Sequence, residues 1–247
     1  MIILKSSEEL ALMMKSGAIV RDCLALAEEK VREGMTTAKL DRIIYDYITS
    51  QNAYPSFLGY MGFPGSACIS VNEEVVHGIP GKRIIKEGDI VSVDVGAKLN
   101  GFHADAARTF AIGKISAEKD KLIRVCKESF FKGVEKFTEG GRLGDISSAI
   151  QEHAESNGFS VVRELVGHGI GRDLHEDPNV PNYGIAGHGI RLKAGMVFAI
   201  EPMICAGKHR IYQEDNGWTI VTADGKPSAH YENTVALTEN GIVFTTL

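Results

Sequence analysis

The sequence has 247 residues, of which 44% are hydrophobic and 24% are charged, and its formal net charge is −5. This composition predicts a soluble globular chain with a sizeable core and excludes extensive disorder. The acidic balance argues against a general attraction to nucleic acid or to an anionic membrane, so neither is expected as a partner.

Long apolar segments and closely spaced cysteines are both missing. The opening MIILKSSEEL holds too short an apolar stretch for a secretory signal, and no later run has the length of a membrane span. A cytoplasmic protein is therefore expected. The four cysteines show no C-x-x-C spacing, which argues against a structural zinc site and a disulfide framework. Cys23 and Cys126 are predicted to be core thiols, and Cys68 to lie beside a candidate pocket.

The first half of the chain predicts two helices followed by strands. Ser6 and Glu9 have capping-box spacing at the start of a helical pattern over 6–33, and a second helix begins near Thr37. SACISVN then has the pattern of a strand. The segment GDIVSVDVGAKLNGFHADAARTFAIG has two β-rich runs around Asn100-Gly101, which predicts a hairpin with a tight turn.

The second half repeats this order. Helices are predicted at about 117–138 and 144–157, and the last third is rich in strands with an Asn-Gly turn at 240–241. Between them, LVGHGIGRDLHEDP is predicted to be a glycine-rich loop that carries His168 and His175, with glycines that let the backbone turn or approach a ligand closely.

The two halves align as an internal repeat. IIKEGDIVSVD (84–94) matches RLKAGMVFAIE (191–201), which sets Asp94 on Glu201, and ADAARTF matches YENTVAL, which sets Asp105 on Glu232. The matches keep chain order. They predict a single catalytic domain, 1–247, in which two α/β halves of about 1–115 and 116–247 pack about a pseudo-twofold axis.

The repeat predicts that four carboxylates and the His168 imidazole converge. Buried acids repel one another unless cations neutralise them or some of them are protonated, which favours divalent metal. One nitrogen and several oxygen ligands suit Mn, Fe, Co or Zn, and bridging carboxylates suit two ions. Such a centre predicts metal-dependent hydrolysis of an amide or ester.

Five stretches together identify a family resemblance: VVHGIP, DVGAKLNGFHADAARTF, GHGIGRDLHEDP, GMVFAIEPM and AHYENTVALT. Along its whole length the chain resembles the type I methionine aminopeptidases, which have the creatinase-like pita-bread fold. The resemblance implies an α/β (α+β) architecture in which two pseudo-twofold related halves surround a curved antiparallel sheet with helices outside.

The resemblance also implies a site. It assigns five ligands to two divalent metal ions: Asp94, Asp105, His168, Glu201 and Glu232. Asp105 and Glu232 would bridge the ions, with Asp94 on one ion and His168 and Glu201 on the other. A metal-bound hydroxide would attack the first peptide carbonyl, with Glu201 handling the proton. His77 and His175 would contact the substrate and stabilise developing charge.

By the same resemblance, the substrate is a peptide or nascent protein that begins with Met followed by a small residue. The apolar pocket wall would comprise Tyr60, Phe63, Cys68 and Trp218, with Phe57 and Leu174 nearby. Leu174 departs from the aromatic residue that many relatives carry there. Asn72 and Ser228 match positions that hold a monovalent cation in some relatives. A monomer and a transient ribosome contact through the domain surface are expected.

Two rival readings remain. An Xaa-Pro peptidase of the same fold would keep all five ligands, although such relatives usually carry a large N-terminal domain. A peptide-binding or ribosome-associated module without catalysis would be expected to have lost ligands, and all five stand here. The remaining histidines are predicted to be solvent-facing or structural: His103, His153, His188, His209 and His230.

Overall fold

Two pairs of helices alternate with two regions rich in strands, and the computed structural model describes all 247 residues. The helices are α1 (Ser7–Lys30), α2 (Thr37–Ser50), α3 (Ala117–Val134) and α4 (Leu143–Ser156), with one short 3₁₀ turn at Tyr60–Gly62. The strands are β1 (Tyr54–Pro55), β2 (Ala67–Val71), β3 (Glu74–Val76), β4 (Ile90–Leu99), β5 (Phe102–Ala111), β6 (Ser160–Val161), β7 (Gly167–Gly169), β8 (Glu176–Val180), β9 (Val197–Ile200), β10 (Met203–Cys205), β11 (Ile211–Gln213), β12 (Ile220–Thr222), β13 (Ser228–His230), β14 (Asn233–Thr238) and β15 (Gly241–Phe244).

Side-chain caps fix where the helices begin. The Ser6 hydroxyl accepts from the Glu9 amide while the Glu9 carboxylate accepts from the Ser6 amide, so the predicted capping box is confirmed. The hydroxyl groups of Thr36 and Ser116 cap α2 and α3 by accepting from the amides of Lys39 and Lys119. None of the four helices combines the length and apolar character that a membrane crossing requires.

Helix α3 ends earlier than predicted. The pattern indicated a helix to about 138, but the last helical residue is Val134. The amide of Phe137 donates to the Val134 carbonyl at 2.9 Å, a tighter i to i−3 bond that turns the chain inward. The Phe137 ring is thereby buried and stacks on Phe198 at 4.8 Å between ring centroids. Core packing of this ring therefore ends the helix.

The strands form antiparallel sheets. In the first sheet β4 pairs with β5 along its whole length on one edge, and on its other edge it pairs with β2 and then, nearer the turn, with β1. A five-stranded sheet has the order β15-β14-β9-β7-β8. Two three-stranded sheets, β13-β10-β6 and β11-β12-β3, complete the set. The hairpin β4/β5 is confirmed, and its turn residues Asn100 and Gly101 have φ of 52° and 86°.

Two hydrophobic clusters lie beneath the helix pairs. Residues of α1 and α2 pack on β2, β4 and β5, and residues of α3 and α4 pack on strands of the second region. A seam joins β5 to β14: the Thr234 hydroxyl accepts from the Asp105 amide and donates to the Asp105 carbonyl. Ala107 and Glu232 exchange backbone hydrogen bonds beside it. The seam holds Asp105 and Glu232 next to each other.

The glycine-rich segment around His168 is only in part a loop: residues 170–175 have no regular structure, but strands β7 and β8 occupy its two ends, so the prediction was wrong there. Gly167–Gly169 forms β7 between β8 and β9 in the five-stranded sheet. A Cβ on Gly167 would collide with the carbonyl oxygen of Ala199, and one on Gly169 with that of Asp177. These glycines therefore serve close backbone approach rather than a turn.

Candidate metal centre and active site

The hairpin β4/β5 supplies two aspartates. Asp94 lies inside β4 and pairs with Ala107, whereas Asp105 pairs with Gly96. The two aspartates are therefore diagonal neighbours rather than direct partners. Residues that face one another in register point to the same side of a sheet, and i and i+2 share a face, so both side chains project together.

Two glutamates reach the same place from the second half of the chain. Glu201 follows β9 directly and is held before Pro202, while Glu232 lies between β13 and β14. Ligand atoms of Asp105, His168 and Glu232 all lie within 4.8 Å of one another. The structure thus brings together the four carboxylates and the imidazole that the repeat selected.

This cluster is buried and short of hydrogen-bond partners. Asp105 and Glu232 are 4% and 2% exposed. One carboxylate oxygen in each of Asp94, Asp105 and Glu232 is buried with no partner. Burial raises the pKa of Asp94 to about 7. Burial and then the neighbouring carboxylates raise the pKa of Glu232 well above its ordinary range.

These orphaned oxygens fit divalent metal. Buried polar atoms without partners cost free energy, and an ion would satisfy all three oxygens together. Carboxylate oxygens with imidazole nitrogen suit Mn, Fe, Co or Zn rather than thiolate-seeking ions.

The tautomer of His168 is fixed by the backbone. Its Nδ1 lies 2.8 Å from the carbonyl oxygen of Gly169, which can only accept, so Nδ1 carries the proton. Nε2 is left with a lone pair and lies 3.6 Å from a Glu201 oxygen. Burial lowers the pKa of His168 to about 3. A neutral imidazole oriented in this way is the usual form of a histidine ligand.

His77 and His175 flank the carboxylates. The His175 ring lies 4.2 Å from that of His168 between centroids, and its Nδ1 is 2.8 Å from the Tyr60 hydroxyl. His77 has a φ of 58°, a conformation that non-glycine residues rarely adopt and that clusters at functional sites. Burial, followed by the charge of His175, lowers the pKa of His77 to about 4. Its ring is therefore neutral at pH 7.

A cavity of about 180 Å³ opens onto this cluster. It is lined by the four residues predicted for the apolar wall, Tyr60, Phe63, Cys68 and Trp218, and by the two predicted to lie nearby, Phe57 and Leu174. The rings of Phe63 and Trp218 meet edge to face, with centroids 5.2 Å apart. Met61 also lines the cavity, and sequence reasoning missed it; its side chain is 83% exposed and its φ is 48°.

The sequence profile of metallopeptidase family M24 matches residues 11–239. The chain belongs to metallopeptidase family M24. A methionine aminopeptidase of Clostridium perfringens is 60% identical over 247 residues, which covers all of this chain and 99% of that protein. The crystal structure of a methionine aminopeptidase from Thermotoga maritima superposes with a TM-score of 0.98 at 44% identity, covering 100% of this chain and 99% of that one.

The M24 fold extends to more distant members. A prolidase from Pyrococcus furiosus superposes with a TM-score of 0.79 at 23% identity, and the match covers 99% of this chain but only 65% of that one. Together these structures confirm the predicted pita-bread fold class. At 23% identity the prolidase shows a shared fold alone.

His230, which sequence reasoning placed among solvent-facing or structural histidines, is buried and lies beside the carboxylate cluster. In this M24 peptidase it is 2% exposed, and its Nε2 lies 3.5 Å from Glu232 and 3.9 Å from Glu201. Strand alternation could have found it, because His230 stands two residues before Glu232 as His103 stands two before Asp105. His103 is also buried, with Nδ1 2.9 Å from the Ser56 hydroxyl.

The other three histidines lie away from the cluster. His153 Nε2 is 3.0 Å from a Glu128 oxygen on α3, and exposed His188 contacts the Ala186 carbonyl. His209 has a buried Nδ1 without a partner. None of these three lines the cavity.

Arg108 contacts the backbone at the seam that joins β5 to β14, next to the candidate metal ligands. Its guanidinium donates to the Glu232 carbonyl at 2.5 Å and to the Asn233 side chain at 2.7 Å. It also lies over the Tyr231 ring at 4.3 Å. Because Arg108 and Asp105 stand on opposite faces of β5, this clamp fixes the Glu232 backbone from behind the carboxylates.

Asn72 and Ser228 are neighbours, since the Ser228 amide donates to the Asn72 carbonyl at 2.8 Å. The Lys119 ammonium donates to the Asn72 side-chain oxygen at 2.8 Å and to the Gly88 carbonyl at 2.6 Å. A positive charge of the chain itself therefore already lies at this side chain. A monovalent cation here stays a prediction.

The buried carboxylates should make the metal-free protein sensitive to alkaline pH. Burial raises the pKa of Asp94 to about 7, and burial followed by the charges of neighbouring carboxylates raises the pKa of Asp105 well above its ordinary value. Since these pKa values are about 4 in the unfolded chain, the folded chain holds more protons above that pH and loses stability as the pH rises toward the folded pKa. Burial lowers the pKa of three histidines, and their effect on stability is the opposite: between about pH 3 and 6.5 they make the folded chain more stable as the pH rises. These histidines are His77, His168 and His230. Above pH 6.5 only the carboxylates of this cluster still change the stability with pH.

We expect chelated protein to lose unfolding free energy as the pH rises from 6.5 to 8.5, at about 1.4 kcal/mol per pH unit for each carboxyl group that is still protonated in the folded chain. Denaturant unfolding at both values, with chelator or with Mn²⁺, measures it. The Mn²⁺-loaded protein should lose much less, because bound cations compensate the charge. Equal stability of the chelated protein at both pH values would contradict shared protonation of the cluster.

Proposed function

We propose that this M24 peptidase is a methionine aminopeptidase that removes N-terminal Met, preferring a small second residue. One observation carries the proposal: the apolar cavity of about 180 Å³ ends on the buried carboxylates and imidazoles. An unbranched apolar side chain and a reacting peptide group would thereby occupy one continuous site. Full-length identity of 60% to a methionine aminopeptidase supports it.

We assign two divalent ions to the cluster, in which Asp94, Asp105, His168, Glu201 and Glu232 would hold them. The partnerless oxygens of Asp94, Asp105 and Glu232 support this ligand set. When bound, such ions would polarise the attacked carbonyl and lower the pKa of the attacking water to near neutrality. Co, Mn, Fe and Zn all suit the ligand chemistry, and availability would select among them.

Side chains of the protein would supply the proton transfer and the hydrogen bonds to the substrate. The Glu201 carboxylate, which lines the cavity beside His168, would accept the proton of the attacking water. His77, neutral and close to the cavity wall, would donate from a ring nitrogen to the carbonyl oxygen as negative charge develops there. His175, oriented by Tyr60, would donate to the peptide group on the other side.

The apolar wall would select the first side chain. Tyr60, Phe63, Cys68 and Trp218 offer aromatic faces and a thiol, which suit the soft thioether of methionine. Leu174 is smaller than an aromatic ring, so this side of the pocket gains room. The amino group of the substrate would lie beside Asp94, which limits the site to peptides with a free N-terminus.

A peptide panel tests this function. Chelator-stripped protein is reloaded with Mn²⁺, Fe²⁺, Co²⁺ or Zn²⁺, and release of the first amino acid is measured from Met-Ala-Ser, Leu-Ala-Ser and Ala-Pro-Ser. We expect metal-dependent release from Met-Ala-Ser alone. Cleavage only before proline would favour an Xaa-Pro peptidase, and no cleavage despite bound metal would favour a binding module.

We further propose a cytoplasmic monomer that acts on nascent chains as a single domain, 1–247, built from halves of about 1–115 and 116–247. All four cysteines are free, which fits a reducing compartment. The separate hydrophobic clusters beneath the two helix pairs support the halves. Contact with the ribosome would be transient and would use the surface of the domain.

A further inference from the structure

His230 is the one histidine with both ring nitrogens buried and without a hydrogen-bond partner. The ring belongs to β13, is 2% exposed, and does not line the substrate cavity. A buried imidazole has at least one N–H to satisfy, and leaving both nitrogens unpaired is costly. A ligand at Nε2 would satisfy one of these nitrogens, and Nε2 is the nitrogen that faces the carboxylates.

The distances around Nε2 suit an ion better than a hydrogen bond. Nε2 lies 3.5 Å from Oε2 of Glu232 and 3.9 Å from Oε2 of Glu201, both too long for a good hydrogen bond. Two ligands at ordinary zinc distances in a tetrahedral site are about 3.3 Å apart. Ligand atoms of Asp94, His230 and Glu232 also lie within 4.8 Å of one another.

We propose that His230 is a sixth metal ligand, binding one ion together with Asp94 and Glu232, while His168 serves the other ion with Asp105 and Glu232. This inference rests on the two-metal centre of the proposed function. Each ion then has one imidazole and shares Glu232. A nitrogen in both sites shifts preference from Mn²⁺ toward Fe²⁺, Co²⁺ and Zn²⁺.

His103 shows what the same position looks like without this role. It stands two residues before Asp105, as His230 stands two before Glu232 in the internal repeat. Its Nδ1 is 2.9 Å from the Ser56 hydroxyl, so its ring has an ordinary structural partner. His103→Gln is therefore the matched control for His230→Gln, since both remove a buried imidazole and keep an amide capable of hydrogen bonding.

Nuclear magnetic resonance of ¹⁵N-histidine-labelled protein loaded with ¹¹³Cd²⁺ counts the imidazole ligands directly, because a bound nitrogen is split by ¹¹³Cd. We expect two split nitrogens in the wild type, one in His230→Gln and two in His103→Gln. The wild-type spectrum alone decides the question if a variant fails to fold. The affinity of His230→Gln for Co²⁺ should also fall at least about tenfold, and its affinity for Mn²⁺ less.

A single split nitrogen in the wild type, or an unchanged count in His230→Gln, overturns the inference. Methionine release from Met-Ala-Ser by the same wild-type protein, stripped and reloaded with Mn²⁺, Fe²⁺, Co²⁺ or Zn²⁺ in turn, keeps the two proposals apart. Release with one split nitrogen overturns only the role of His230. Two split nitrogens without methionine release support the ligand and overturn the proposed function.

Discussion

Replacing Glu232 by glutamine is expected to abolish metal binding and to lower methionine release by at least about 10³-fold, or about 4 kcal/mol of activation free energy. Glu232 contributes to both groups of ligand atoms, with Asp94 and His230 and with Asp105 and His168. An amide has nearly the same shape but lacks the charge that holds cations. Loss of this one carboxylate therefore weakens both sites.

The same change should stabilise the metal-free protein at pH 8. The charge of Glu232 raises the pKa of Asp105, so removing it relieves repulsion inside the cluster. Metal content, turnover and the unfolding midpoint with chelator are the measurements. Glu239→Gln, an exposed change just beyond β14, should alter none of them. A metal-free Glu232→Gln variant no more stable than the wild type would contradict the repulsion that the burial implies.

Removing the His77 imidazole is expected to lower turnover by about 10²- to 10⁴-fold while metal content stays unchanged. His77 lines the cavity, but no ligand group includes it. Its neutral ring can donate to a carbonyl oxygen as charge develops in the transition state. The effect should therefore fall on kcat more than on KM.

Two variants separate this loss from backbone strain. His77→Ala must keep a φ of 58° without the imidazole, and His77→Asn places there a residue that tolerates the left-handed region. Both should lose turnover equally if the ring is what matters. Exposed His188→Ala serves as the control. Near-normal turnover in His77→Asn would remove the His77 ring from the mechanism.

The two alternative functions, an Xaa-Pro peptidase and a module without catalysis, are less well supported than a methionine aminopeptidase. The chain is 60% identical to a methionine aminopeptidase, whereas it is 23% identical to a prolidase of the same fold. That contrast bears on the Xaa-Pro reading, although only the peptide panel decides between substrates. A module without catalysis fits poorly with a cluster of partnerless carboxylates, because such oxygens are costly to retain unless cations satisfy them.

Local patterns were enough for most of the elements. The capping box of α1 and the Asn100-Gly101 turn are decided by groups a few residues apart, so spacing alone predicted them. The end of α3 was not predictable in this way, since Phe137 turns inward to stack on Phe198, a partner far along the chain. β7 was missed because its glycines serve contacts with Ala199 and Asp177 rather than a local turn.

The sequence by itself determined the acids and one imidazole of the cluster, because an internal repeat makes distant residues equivalent and each lies at a recognisable place in it. Only the tertiary structure decided how they meet. The diagonal offset of Asp94 and Asp105 follows from the register of β4 and β5, and the unpartnered ring of His230 follows from what surrounds it. A buried imidazole can lie beside a hydroxyl, as His103 does, or beside carboxylates, as His230 does. Its neighbours come from other helices and strands, so the sequence pattern of one segment does not predict them.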